Sequence, residues 1–99
     1  MFSKEEFENE LGKVFEQYFN SNDIYTILKI TKSQARNGCI KQISINRKID
    51  TEYNQEKEII IIPKNTQNNK IIELKGKGNK NTNNGKIGNL YIKIHIFGK

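Results

Sequence analysis

Ninety-nine residues with a formal net charge of +6 and 34% hydrophobic side chains leave room for one modest core and no comfortable second one. A single cysteine, Cys39, rules out an internal disulfide, and with one histidine and no cysteine pair the chain lacks a structural zinc pattern. The opening Met1-Phe2-Ser3-Lys4-Glu5-Glu6 has neither a basic start nor a long apolar run, so no signal peptide or membrane-spanning helix is expected and a cytoplasmic location is the default.

The charge is unevenly spread. Residues 1–23 hold two Lys against six acids, net −4, which leaves +10 on residues 24–99. A basic body admits nucleic acid, acidic lipid or acidic protein partners, or simply a solvated Lys-rich surface. Seventeen of the apolar residues are Ile, and branching at Cβ suits a pleated sheet better than a helix.

Residues 3–19 have helical spacing, with Phe7, Leu11, Val14, Phe15 and Tyr18 on one face, Ser3 placed to cap and Glu6 three residues later. Gly12 weakens that helix by about 1 kcal/mol relative to Ala. Its apolar stripe either packs on the chain's own sheet or serves a partner. Residues 1–22 are therefore expected as an N-terminal helical segment, ahead of a β domain over residues 23–99.

After the turn residues Asn20-Ser21-Asn22, Ile24, Thr26, Leu28 and Ile30 share one parity and Tyr25, Ile27 and Lys29 the other, which describes a first strand covered in part on both sides. Thr31 to Gly38 is polar, begins with a capping residue and ends in Asn-Gly, as a helix of one or two turns would. Cys39 to Ile49 alternates again, with Cys39, Lys41, Ile43, Ile45 and Arg47 on one face. Asp50 to Lys57 is expected as a charged connector. Glu58 to Ile62 is a short β-branched run stopped by Pro63, hence a buried third strand. Lys64 to Asn69 turns the chain and Lys70 to Lys75 is a fourth strand. The Gly- and Asn-rich stretch from Gly76 to Gly88 is a long exposed loop. Asn89 to Phe97 closes the chain as a strand, with Leu90, Ile92, Ile94 and Ile96 inward and Tyr91, Lys93 and His95 outward. The expected fold is mainly β: a small β-sandwich or half-barrel of about five strands, with a short helix after the first strand and an N-terminal amphipathic helix.

Four motifs in order give the chain a family resemblance. Ala35 and Gly38 fit an "EA..G" signature, Ile62-Pro63-Lys64-Asn65-Thr66-Gln67 an "IP.GT..G" turn, Leu74-Lys75-Gly76-Lys77-Gly78 an "L.GKG" motif and Gly88-Asn89-Leu90-Tyr91 a "GDLY" motif. Over residues 23–97 this order resembles the C-terminal substrate-binding domain of DnaJ-type (J-domain) co-chaperones. Asn65 and Asn69 stand at turn glycines, which Asn tolerates because it accepts left-handed backbone angles, and Asn89 stands where the motif has Asp. The chain shows no His-Pro-Asp, no zinc-finger insert between the second and third strands, and one β domain where family members carry two.

The resemblance implies a chaperone domain that performs no chemistry and holds unfolded or extended polypeptides by strand addition beside an apolar pocket. By position it carries the pocket to Ile24, Ile43, Ile45, Ile60 and Ile92. It also implies a seventy-kilodalton heat-shock chaperone as a partner, and no cofactor. From the residues themselves, Ile43 and Ile45 share a face as a pocket floor requires, although plain core residues would alternate in the same way. The glycines around Lys77 and Lys86 lack the spacing and the following Ser or Thr of a phosphate loop, and His95 has no sequence neighbours suited to catalysis or metal binding. Tyr25, Tyr53, Tyr91 and Phe97 with the basic body leave a single-stranded nucleic-acid surface as the alternative, with binding that weakens steeply in salt.

Overall fold

The computed structural model describes residues 22–98, so the helix expected over residues 3–19 lies outside the described residues. The elements run β1 (Ile24–Thr31), α1 (Lys32–Asn37), β2 (Cys39–Ile49), β3 (Glu52–Ile62), β4 (Ile71–Leu74), β5 (Lys80–Asn81), β6 (Lys86–Ile87) and β7 (Leu90–Phe97). They form two sheets, one ordered β1-β7-β4 and the other β3-β2-β5-β6, and the chain is mainly β, as its composition requires. β1 runs parallel to β7 with Ile24 opposite Leu90 and Thr31 opposite Phe97, while β4 runs antiparallel along the other edge of β7.

The core sits between the sheets. Ile24 and Ile30 of β1, Leu90, Ile92 and Ile94 of β7, Ile45 of β2, and Ile60 and Ile62 of β3 are buried in one cluster with Ala35 of α1. The isoleucines of β1, β2 and β7 lie at the parity that their alternation assigns, whereas in β3 only Ile60 and Ile62 of the apolar run face the core; full burial of such a side chain stabilises the fold by about 1.5–3 kcal/mol. β7 is the central strand of its sheet and is buried on both faces over Leu90–Ile94. On the face turned away from the core, Tyr25 and Tyr91 stack with ring centroids 5.8 Å apart and planes 11° apart. Lys93 is buried on that same side, and burial pushes its ammonium below the usual lysine range.

α1 starts on a complete capping box: the Thr31 hydroxyl accepts from the Gln34 N–H at 3.1 Å, and the Gln34 side chain accepts from the Thr31 N–H at 2.9 Å. Gly38 ends the helix at φ 79°, an angle glycine adopts without penalty.

Three segments depart from expectation. In the first, the run Glu58–Ile62 expected to be buried, only Ile60 and Ile62 face the core while Ile59 and Ile61 are exposed, because alternate side chains of β3 point to opposite faces. Asp50 to Lys57 is not a connector: β3 begins at Glu52 and pairs with β2 without interruption from Ile49 opposite Glu52 to Cys39 opposite Ile62. A two-residue turn with Asp50 at φ 57° joins the strands. Residues 51–55 are exposed on both faces, so this end of the ladder has no apolar side to bury and shows no apolar alternation. Backbone pairing carried on from the apolar end, an Arg47–Glu56 ion pair at 3.4 Å and the tight turn hold it together. The third departure is in the Gly-Asn loop, which contains the miniature hairpin β5–β6, attached to β2 by the pairing of Ile49 with Lys80.

Candidate functional site

The four motifs meet in two places. At one end of the sandwich the Ile62–Thr66 turn is fastened to the last turn of α1: the Thr66 N–H donates to the Ala35 carbonyl at 3.0 Å and the Asn65 N–H to the Arg36 carbonyl at 3.2 Å. The Thr66 hydroxyl donates to the Pro63 carbonyl at 2.6 Å. Helix carbonyls that have no partner within the helix are thereby satisfied. Asn65 (φ 60°) and Asn69 (φ 70°) hold the left-handed angles expected of residues replacing glycine.

At the other end, three stretches of backbone are stacked. The Gly78 N–H donates to the Gly88 carbonyl at 3.0 Å, the Gly88 N–H to the Asn79 carbonyl at 2.8 Å and the Asn79 N–H to the Asn22 carbonyl at 2.6 Å. A Cβ on Gly78 would lie 2.6 Å from the Asn22 carbonyl oxygen, and one on Gly88 would run into the Asn22 and Asp23 backbone. The buried Asp23 carboxylate then accepts from the Asn89 N–H at 2.7 Å. The glycine motifs thus join β4, β5 and β7 to the start of β1. They serve as scaffold, and nothing in their geometry cradles a phosphate.

Between these joints lies β2. Lys48 donates its N–H to the Asn79 side chain at 2.8 Å and Asp50 its N–H to the Lys80 carbonyl at 2.9 Å, both away from β3. Backbone groups alternate in direction along a strand, so the even residues Ile40, Gln42, Ser44 and Asn46 point to the same side. There β5 reaches only Ile49. Among the described residues, this edge of β2 from Ile40 to Asn46 pairs with no other strand. Inward from it, the side chains of Cys39, Lys41, Ile43, Ile45 and Arg47 form one row.

Of the residues expected to line a pocket, Ile24, Ile45, Ile60 and Ile92 are buried together in the core cluster, and Ile43 is half-buried against it. The structure brings all five into one apolar body and leaves Ile43 as the member that reaches the surface. Leu28, Ile72 and Leu74 are also half-buried against the cluster. Leu28 shares the parity of Ile24 and Ile30, a signal the sequence carried; Ile72 and Leu74 sit on the short edge strand β4, where four residues give too little periodicity to read. A surface hollow of 480 Å³ is lined by Pro63 to Lys70 and another of 320 Å³ by Asn22, Lys48, Asp50, Tyr53 and Asn79–Asn81. Neither borders Ile43.

The charged side chains along β2 itself are basic: Lys41, Arg47 and Lys48. Arg47, at the tip end, donates to the Gly78 carbonyl at 2.7 Å and to the Gly76 carbonyl at 3.0 Å, so its guanidinium is held by the glycine joint. Asp50 accepts from the Thr82 hydroxyl at 2.6 Å and the Thr82 N–H at 2.8 Å, and these bonds hold its carboxyl below the usual range. Among the described residues no group of three or more His, Cys, Asp or Glu is placed to hold a metal ion, and no helix is long and apolar enough to cross a membrane. Tyr53 lies opposite Lys48 near the hairpin turn, whereas Phe97 lies beside Thr31 near α1. These exposed aromatics do not form one stacking surface.

Residues 8–97 match the family model described as "DnaJ C terminal domain". A 43-residue stretch is 49% identical to the "Chaperone protein DnaJ" of Borrelia garinii subsp. bavariensis; the match covers 43% of this chain and spans 12% of that protein's length.

Proposed function

The chain belongs to the DnaJ C-terminal domain family, and on that premise we propose that it is a chaperone domain that binds extended apolar segments of unfolded polypeptides at the free edge of β2. The observation that carries this reading is the unpaired edge from Ile40 to Asn46 beside the half-buried Ile43. An incoming strand takes main-chain hydrogen bonds from Ile40, Gln42, Ser44 and Asn46, which are independent of the client's sequence. Alternate client side chains then point toward the gap between the sheets, where Ile43 meets them. Ile24, Ile45, Ile60 and Ile92 form the apolar floor beneath it. Binding needs no bond chemistry and no cofactor. Its location is the cytoplasm, and its further partner, by the analogy of the family, is a seventy-kilodalton heat-shock chaperone.

The test is binding of a fluorescent apolar peptide, together with suppression of aggregation of a denatured client, by wild type and by Ile43→Ser. Because Ile43 is only half-buried, the variant is expected to fold, and circular dichroism checks that it does. Peptide affinity is expected to fall by roughly tenfold or more, as for a central contact residue, and to change little with salt. A folded Ile43→Ser chain that binds and protects as well as wild type would show that the pocket is elsewhere.

A further inference from the structure

β3 is the outermost strand of its sheet: it pairs with β2 over its whole length and with no other strand among the described residues. The odd residues of β2 bond to the even residues of β3, so Tyr53, Gln55, Lys57, Ile59 and Ile61 turn their backbone N–H and C=O groups to the free side. The side chains of Ile59 and Ile61 lie on the sheet face away from the core, 65% and 72% exposed, and Ile40, directly opposite Ile61 on β2, is 71% exposed. Native sheets usually guard such an edge with a charge, a proline or a bulge. From Ile59 to Ile62 the ladder is unbroken and carries none of these; Pro63 comes one residue too late.

We propose that this edge, over Glu58–Ile62, is a self-association surface that pairs antiparallel with the same strand of a second copy of the chain. Charge admits a second copy of this strand as the occupant and narrows the register. A two-fold axis at Ile60 sets Ile59 against Ile61 of the second copy, and Glu58 against Ile62. An axis at Ile59 sets Lys57 against Ile61 and Glu58 against Ile60. Neither brings like charges together. Shifting the axis to Lys57 or Glu58 opposes two lysines or two glutamates, which is unfavourable for directly facing residues. The strand is therefore self-complementary only where it is apolar, and there the exposed Ile40, Ile59 and Ile61 of both copies merge into one stripe across a continuous sheet. A two-fold contact of this kind closes at the dimer. It uses the side of the sheet opposite the free edge of β2, so it does not depend on client binding.

Sedimentation equilibrium of the full chain at rising concentration tests this with wild type, Ile61→Lys and Ile59→Pro. The Ile59 N–H faces the free side, so proline there removes no bond to β2, and Ile61→Lys alters an exposed side chain if the proline variant fails to fold. Wild type is expected to form a concentration-dependent dimer, and each folded variant to associate at least roughly tenfold more weakly. A wild-type chain that stays monomeric, growth beyond the dimer, or folded variants that dimerise as wild type does would each overturn the proposal.

Discussion

Gly88 shows most sharply how single residues decide this fold. Its Cα lies so close to the Asn22 backbone that a methyl group has no room, and the obstacle is main chain, which cannot rotate aside. Gly88→Ala is expected to lower stability by about 2–3 kcal/mol, whereas Gly85→Ala, with open space around it but φ 71°, should lose only about 1 kcal/mol; urea unfolding of both measures the difference. Asn65 gives a complementary case. Its left-handed angle makes Asn65→Gly close to neutral and Asn65→Val destabilising by about 1–2 kcal/mol. Asp50 adds a pH dependence with a definite sign. Its carboxyl is held below the ordinary value by the two Thr82 bonds, so its contribution is fully present above the unfolded carboxylate pKa of about 3.9 and is lost as pH falls through the lower native value. Amide spectra of Thr82 recorded through that range should show the clasp releasing only below the ordinary carboxylate pKa; release at higher pH would contradict the bonding described.

Within an element, the alternation along β3 separates neighbours that look alike in sequence. Ile60 is buried against the core and Ile61 is exposed, so Ile60→Ala should cost about 2–5 kcal/mol by leaving a cavity, while Ile61→Ala should change stability by less than about 0.5 kcal/mol. Thermal unfolding of the pair distinguishes a period of two from a uniformly buried run. The uniform reading is the one the sequence invites, since four consecutive isoleucines show no alternation of their own; only the partner strand reveals which face is covered. The same limit hid the far half of the hairpin. Glu52 to Gln55 has no apolar stripe because neither of its faces is covered, and its strand conformation comes from pairing with β2 rather than from local propensity. By contrast β2, α1 and β7 were legible because each carries its own signal: strict alternation in β2, a capping residue and a terminal glycine in α1, inward isoleucines in β7. Of the candidate site, parity placed Ile43 and Ile45 on one face, and the family resemblance named them as pocket residues. The free edge beside them was not legible, since pairing partners are a property of the folded sheet.

Across the whole molecule, the four motifs divide into two joints that tie one sheet to the other at opposite ends, and the long hairpin extends from one of them with its tip exposed. Stability should follow that layout. Amide hydrogen exchange is expected to be slowest in β7, the doubly covered central strand, and faster by orders of magnitude at Asn46 to Gln55, where local opening exposes little apolar surface. Uniform protection along the hairpin would mean that its tip is held by contacts other than those seen.

The stacked pair Tyr25 and Tyr91 has an optical consequence. The chain has no tryptophan, so its near-ultraviolet signal comes from tyrosine and phenylalanine alone. Two rings 5.8 Å apart and only 11° from parallel, one on β1 and one on β7, form a coupled chromophore that exists only when those two strands are in register. Tyr53, exposed on the hairpin, contributes almost no fixed chirality. Among the described residues this pair is the fixed tyrosine chromophore, so a near-ultraviolet circular dichroism band that Tyr91→Phe diminishes while the fold stays in place is expected to report the parallel pairing of β1 with β7.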